Sequence, residues 1–312
     1  MQDFKTAVVG LGATGTVLAA ALLNRNPQTV VVGRNPDAGP LLSRAGLRVS
    51  GAIEYQAAVQ NYCSSFDELA AFHPDVIFLC TKTFHLPQIR SDLEKIYRPG
   101  MKIVAAQNGI GPEDFLASRL GAEAVWRMSL NYGAALRKPG SAETAFFNKP
   151  NHLGCMSDRD RSLARQIAAL LTESGLDTEL VDDVKKYVWK KMVMKCTMSA
   201  VCAVTDLTFR QALEFPATRE IAEACIREVL AVAASLGYDF GEDYGQQAVE
   251  YLLRAGNHKD SMCHDIASKA PTEIDYLGAK VVEYGRANGV PTPHLMTMTN
   301  LVKTIEAAYL GR

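Results

Sequence analysis

The chain has 312 residues, more than one hydrophobic core usually organises, so its length favours two domains, each large enough to fold without disulfide or metal staples. Hydrophobic residues make up 48% and charged residues 21%, a globular balance, and 33 basic against 34 acidic side chains give no electrostatic ground for nucleic acid or an anionic membrane as partner. The seven cysteines are scattered without a C-x-x-C pair, which favours reduced thiols in a cytoplasmic protein over disulfides or a zinc site.

In the first half, apolar runs of strand length alternate with helix-length segments. Thr6-Val9, Thr29-Val32, Val76-Cys80 and Lys102-Ala106 read as strands buried on both faces, and Thr14-Asn24, Leu86-Ile96 and the shorter Glu113-Leu120 as the helices between them. Such alternation predicts a parallel, doubly wound sheet. Val125-Ala134, Ala142-Phe147 and His152-Met156 read as further strands closing the domain, with Asp177-Leu180 after them. The uncharged run Thr6-Leu23 is not read as a signal peptide or membrane anchor, because Gly10, Gly12 and Gly15 would weaken a spanning helix and a strand, turn and helix accounts for the same residues.

From Val184 the texture becomes helical throughout: Val184-Val204, Phe215-Leu236, Tyr244-Ala255, Ile274-Asn288 and Pro293-Leu310. The expected fold class is an α/β Rossmann-type doubly wound domain over residues 1-181 and an all-α domain over 182-312, with Asp182-Asp183 capping the first helix of the second. Phe209 and Phe215, with the long helices, offer surface for a homodimer.

Gly10-Leu11-Gly12-Ala13-Thr14-Gly15 satisfies G-x-G-x-x-G between a buried strand and a helix. The first glycine makes the tight turn, the second lets a pyrophosphate reach the backbone, and the third lets helix and strand pack closely, which points to a dinucleotide. At the end of the second strand the chain reads Val31-Val32-Gly33-Arg34-Asn35. A carboxylate for the ribose hydroxyl of NAD is absent there and an arginine suited to a 2'-phosphate is present, so the expected cofactor is NADPH/NADP; the plainer alternative is that Arg34 is a solvated loop residue.

Four further segments stand in order along nearly the whole chain: Cys80-Thr81-Lys82, Gln107-Asn108-Gly109-Ile110-Gly111, the helix around Trp189-Lys190-Lys191-Met192, and Ser261-Met262 followed by Thr272-Glu273-Ile274-Asp275-Tyr276. With the glycine turn they resemble the ketopantoate reductase (2-dehydropantoate 2-reductase) family, departing from it where Gly278-Ala279 replace the Asn-Gly that follows E-I-D-Y-L. The resemblance implies a Rossmann domain joined to a helical domain like the C-terminal domain of 6-phosphogluconate dehydrogenase. It also implies NADPH-dependent reduction of a small 2-oxo acid to its 2-hydroxy acid, ketopantoate first among the substrates, without a metal.

By the same resemblance Lys191 protonates the carbonyl oxygen as hydride arrives, and Glu273 hydrogen-bonds the substrate's hydroxyl or carbonyl-derived oxygen beside the cofactor. Ser261 binds the substrate carboxylate, Asn108 contacts the nicotinamide ribose or the substrate, and Lys82 lies near the cofactor. Each has a plainer alternative: one lysine among Lys185, Lys186, Lys190 and Lys195 for Lys191, a helix N-terminal acid for Glu273, a cap for Ser261, a loop residue for Lys82.

Where the family places asparagines four and eight residues after this lysine, the chain has Lys195 and Ser199, one face of the same helix. Two ammonium groups about 6 Å apart at an effective dielectric of about 20 repel by roughly 3 kcal/mol, which would make Lys191 a readier proton donor. Alternatively Lys195 binds the substrate carboxylate, and the loss of both amides points to a 2-oxo acid other than ketopantoate. Two other readings stay open: reduction of an imine, as in opine-type dehydrogenases, and a catalytically silent NADPH sensor.

Overall fold

A computed structural model describes residues 4–157 and 161–311, and the chain divides into two units: Met1–Gln107 with Pro112–Val184, and Asn108–Gly111 with Lys185–Arg312. In the first unit, short β-branched runs form the middle of a sheet. Its strands are β1 (Thr6–Val9), β2 (Thr29–Val32), β3 (Leu47–Gly51), β4 (Tyr55–Ala57), β5 (Asn61–Cys63), β6 (Val76–Leu79), β7 (Lys102–Ala105), β8 (Val125–Ser129), β9 (Tyr132–Lys138), β10 (Ser141–Phe147), β11 (Asn151–Cys155) and β12 (Thr178–Leu180). Eight of these make one sheet in the order β12-β11-β8-β7-β6-β1-β2-β5, parallel from β5 to β8, with β11 antiparallel to β8 and parallel to β12. Every residue of β1, β2 and β6 is buried, which is why these strands read as unbroken apolar runs rather than alternating ones. The doubly wound expectation holds, and β1 lies at the point where the strand order reverses.

The helices of this unit are α1 (Ala13–Leu23), α2 (Ala38–Ala45), α3 (Phe66–Phe72), α4 (Leu86–Ile96), α5 (Pro112–Leu120) and α6 (Ser162–Glu173). A second sheet, β4-β3-β10-β9, was not expected from the sequence. It accounts for the uncharged run: α1 packs against strands of both sheets, so apolar side chains cover nearly its whole circumference. The single strand expected over Val125-Ala134 is two strands in different sheets. The chain turns at Asn131, whose backbone N–H donates to Asn151 Oδ1 at 2.8 Å and whose amide donates to the Pro150 carbonyl at 2.5 Å. Helices α2, α3 and α6 were likewise missed, being short or weakly capped.

One charge pair is sealed inside this unit. Arg127, on β8, lies 3.1 Å from Glu113 in the first turn of α5, both side chains being 2% exposed. Its guanidinium also donates to the carbonyls of Ala105 and Gln107 at 2.6 and 2.8 Å, tying down the exit of β7.

The second unit consists of α7 (Val184–Thr205, beginning one residue earlier in the chain), α8 (Phe209–Glu214), α9 (Pro216–Ser235), α10 (Tyr244–Ala255), α11 (Ser261–Ala267), α12 (Gly278–Ala287) and α13 (Pro293–Leu310). Their apolar faces meet in a core that includes Trp189, Met192, Val193, Ile226, Val229 and Leu295. Phe209 packs partly against this core, whereas Phe215 is 58% exposed.

The helix expected over Ile274-Asn288 is broken. A 3-10 turn, Ile274–Tyr276, precedes α12, because the Tyr276 carbonyl accepts from Ile110 N at 2.8 Å while Lys280 N turns to Leu277 O at 3.1 Å. Among the described residues no helix is long and apolar enough to cross a membrane, and no cluster of His, Cys, Asp and Glu could hold a metal ion.

Removing one partner of the sealed pair should be costly, since the other charge stays buried. Arg127→Met should lower unfolding stability by about 3–5 kcal/mol in a urea titration; a loss under about 1 kcal/mol would mean that the pair is solvated.

Candidate functional site

The glycine turn lies at the carboxyl end of β1. Gly10 has φ +96°, and a Cβ there would come within 2.8 Å of Thr81 N, so the turn admits no side chain. A Cβ on Gly15 would fall 1.9 Å from the Gly10 carbonyl and 3.0 Å from Cys80, whereas one on Gly12 would meet nothing within 4 Å. Gly12 is thus the one glycine of the three whose face is open, as the approach of a pyrophosphate requires. Leu11, Ala13 and Thr14 are partly exposed around it, and α1 has no acidic residue in its first turn and no side-chain cap, leaving N–H groups for an anion.

Arg34 follows β2 and is exposed; Lys82 follows β6 and is half-buried. A residue missed in the sequence lies near Arg34. The His85 imidazole, in the 3-10 turn after Lys82, is held below its ordinary pKa by partial burial and by the Arg34 charge. At the ends of β6 and β7, Thr81 Oγ1 and both amide atoms of Gln107 are buried without a hydrogen-bond partner among the described residues. Buried polar groups are rarely left so, and a ligand bearing polar groups would satisfy them. The open face, the bare helix terminus and these orphaned groups fit a dinucleotide.

In the second unit, Lys191 on α7 donates to Asn108 Oδ1 at 2.8 Å, bringing together two residues 83 positions apart. Gly109, at φ +103°, lets its backbone lie on Tyr276, whose carbonyl oxygen would be 2.6 Å from a Cβ there. The Q-N-G-x-G and E-I-D-Y segments therefore touch directly. Glu273, 8% exposed, heads the 3-10 turn rather than an α-helix, its carbonyl accepting from Tyr276 N at 3.0 Å.

Lys195, one turn beyond Lys191, donates to Asp260 Oδ2 at 2.5 Å and to Ser261 Oγ at 3.0 Å. Asp260 is the second residue missed in the sequence: it is 3% exposed, and its other oxygen accepts from Met262 N at 2.8 Å, so Asp260 rather than Ser261 caps α11. Burial pushes its carboxyl up, yet the charge and hydrogen bond of Lys195, with the Met262 N–H, outweigh this and hold it below the usual carboxylate value. Ser199 Oγ is buried beside the same carboxylate at a looser geometry, short of a well-formed hydrogen bond. The expectation that Lys195 would repel Lys191 is thereby corrected: the positive charge is balanced 2.5 Å away. No run or spacing links residues 195 and 260, so only the fold reveals the pair.

Residues 6–158 match the family described as Ketopantoate reductase PanE/ApbA, and residues 183–306 match Ketopantoate reductase PanE/ApbA C terminal. A 2-dehydropantoate 2-reductase of Archaeoglobus fulgidus is 25% identical over 307 residues, covering 98% of this chain and 99% of its own. Among solved structures, a 2-dehydropantoate 2-reductase from Geobacter metallireducens superposes with a TM-score of 0.89 at 23% identity, covering 96% of this chain and 99% of that one. A D-mandelate dehydrogenase solved with NADH and anilino(oxo)acetate gives 0.85 at 22%, covering 98% and 99%.

The lowered Asp260 value has a stability consequence. A carboxyl whose pKa is depressed by folding contributes stability above its unfolded value, about 3.9, and loses it as pH falls through the folded value. The stability gap between the native chain and Asp260→Asn should be level above about pH 5 and shrink below about pH 4 in urea titrations; a gap independent of pH would show that the carboxylate's charge is immaterial.

Proposed function

Because the chain belongs to the ketopantoate reductase family and is an oxidoreductase of that family, we propose that it reduces a small 2-oxo acid to the 2-hydroxy acid with NADPH. The observation that carries this reading is the hydrogen bond from Lys191 Nζ to Asn108 Oδ1, since it orients an ammonium group within a segment pair typical of the family. A bound nicotinamide supplies the hydride. Lys191 polarises the substrate carbonyl and gives its proton to the oxygen as the carbon is reduced, then regains a proton from water. Glu273 hydrogen-bonds the oxygen that becomes the hydroxyl, Ser261 holds the carboxylate, and Lys195, beside Ser261, donates to a substrate oxygen away from that carboxylate.

For the cofactor, Gly10, Leu11, Gly12, Ala13, Thr14 and Gly15 would cradle the pyrophosphate, and Lys82 would lie beside it. Arg34 supports NADPH over NADH, and His85 nearby adds a second basic group that a 2'-phosphate would favour in its charged form. Ketopantoate is the first substrate to test. A different 2-oxo acid is the second reading, and it is favoured by the Lys195–Asp260 pair occupying the helix face where the family has amides.

NADPH oxidation against a panel of 2-oxo acids, with and without amines, tests this reading. Lys191→Ala should lower kcat by about 100-fold or more while NADPH still binds. Arg34→Ala should shift the preference between NADPH and NADH by about tenfold towards NADH. Turnover that requires an amine would replace the reading by imine reduction; tight NADPH binding with no turnover would replace it by a sensor.

A further inference from the structure

The Lys195 ammonium has three N–H donors, and among the described residues two are committed, to Asp260 and to Ser261. Ser261 Oγ accepts from Lys195, so its own proton remains available for donation. Lys195 is 18% exposed and its carboxylate partner 3%, so the ammonium can be reached while the balancing charge is sealed behind it. The result is a pair of neighbouring donors, one N–H and one O–H, with almost no net charge. An uncompensated lysine at this place, one turn from Lys191, would instead be a strong attractor for any anionic group.

Resting on the proposed reduction of a 2-oxo acid, we propose that Asp260 is a specificity-determining residue. By neutralising Lys195 it leaves the anchor able to hydrogen-bond an oxygen but unable to supply the counter-charge for a second carboxylate. Asp260 acts through Lys195 and does not itself touch substrate, so it is a positioning residue. Its two oxygens hold different helices, one fixing the start of α11 and with it Ser261, the other fixing the ammonium on α7. Removing the carboxylate charge while keeping an amide of the same shape should therefore alter which substrates are accepted, beyond any effect on folding.

The test is NADPH oxidation by the whole chain with monocarboxylic substrates (ketopantoate, 2-oxoisovalerate, phenylglyoxylate) and dicarboxylic ones (oxaloacetate, 2-oxoglutarate), comparing the native chain, Asp260→Asn and Lys195→Asn/Asp260→Ser. The native chain should favour the monocarboxylic class in kcat/KM by about tenfold or more, and Asp260→Asn should move that ratio towards the dicarboxylic acids by about tenfold, chiefly through KM. The double variant, which has neither charge, should keep the native preference, and it decides the matter if Asp260→Asn does not fold. Equal use of both classes by the native chain, an equal loss on both classes in Asp260→Asn, or acceptance of dicarboxylic acids by the double variant would each overturn the proposal alone. No turnover of any 2-oxo acid would overturn the proposed function and this inference together.

Discussion

The segment Asn108–Gly111 must satisfy two demands in four residues. It follows strand β7, whose exit is held by the Arg127 guanidinium, and it also belongs to the helical unit through Lys191 Nζ on Asn108 and Ile110 N on the Tyr276 carbonyl. Only a backbone with a positive φ and no Cβ at residue 109 allows the second contact, since any side chain would strike the Tyr276 carbonyl. Once Tyr276 O is taken by Ile110, the helix expected to start at Ile274 cannot run on, and α12 begins afresh at Gly278. There too a side chain is excluded, because a Cβ would lie 2.4 Å from Thr299 Oγ1. The glycine at 109 and the helix break are thus tied to one contact, that of Ile110 N with the Tyr276 carbonyl.

Two buried charge pairs serve that arrangement in different ways. Arg127 and Glu113 are equally sealed, and Nη1 of the guanidinium donates to the Ala105 and Gln107 carbonyls, so the pair holds the geometry of a strand exit. A hydrophobic replacement of similar shape could hold it as well, because buried ion pairs repay their desolvation only in part. Lys195 and Asp260 are unequal: one end is reachable, the other is not. Such asymmetry has no value for packing alone, and it suits a pair whose outer end meets a ligand.

The Rossmann half was legible wherever burial on both faces produced an unbroken apolar strand, as in β1, β2 and β6, and wherever glycines were forced by close approach. It was only partly legible in the second sheet: β10 read as a strand over Ala142-Phe147, but β3 and β4 alternate buried with exposed positions and β9 is exposed over its last four residues, so these lack the pattern of a doubly covered strand. Among the site residues, those within motifs could be picked out in the sequence, Asn108, Lys191 and Glu273 by their neighbours and Arg34 by its distance from the glycine turn. Asp260 and His85 could not, because a single acid before a short helix and a single histidine before another are ordinary in any chain; their meaning comes from Lys195 and Arg34, 65 and 51 positions away in the numbering.

The departures from the family pattern are then best understood as a set. A lysine in place of the first asparagine would, alone, bring a second positive charge within a turn of Lys191 and change both the acid and the substrate's electrostatic surroundings. Asp260 removes that charge from the balance without removing the donor. Lys191 donates to the amide oxygen of Asn108, while Lys195 donates to the carboxylate of Asp260 and to the Ser261 hydroxyl. Two lysines on one helix face are thereby assigned different work in the proposed reaction: the first suited to giving a proton to the reduced oxygen, the second to holding an oxygen by hydrogen bonding. A chain that kept Lys195 but lost Asp260 would leave an uncompensated ammonium one turn from Lys191, open to any anionic group.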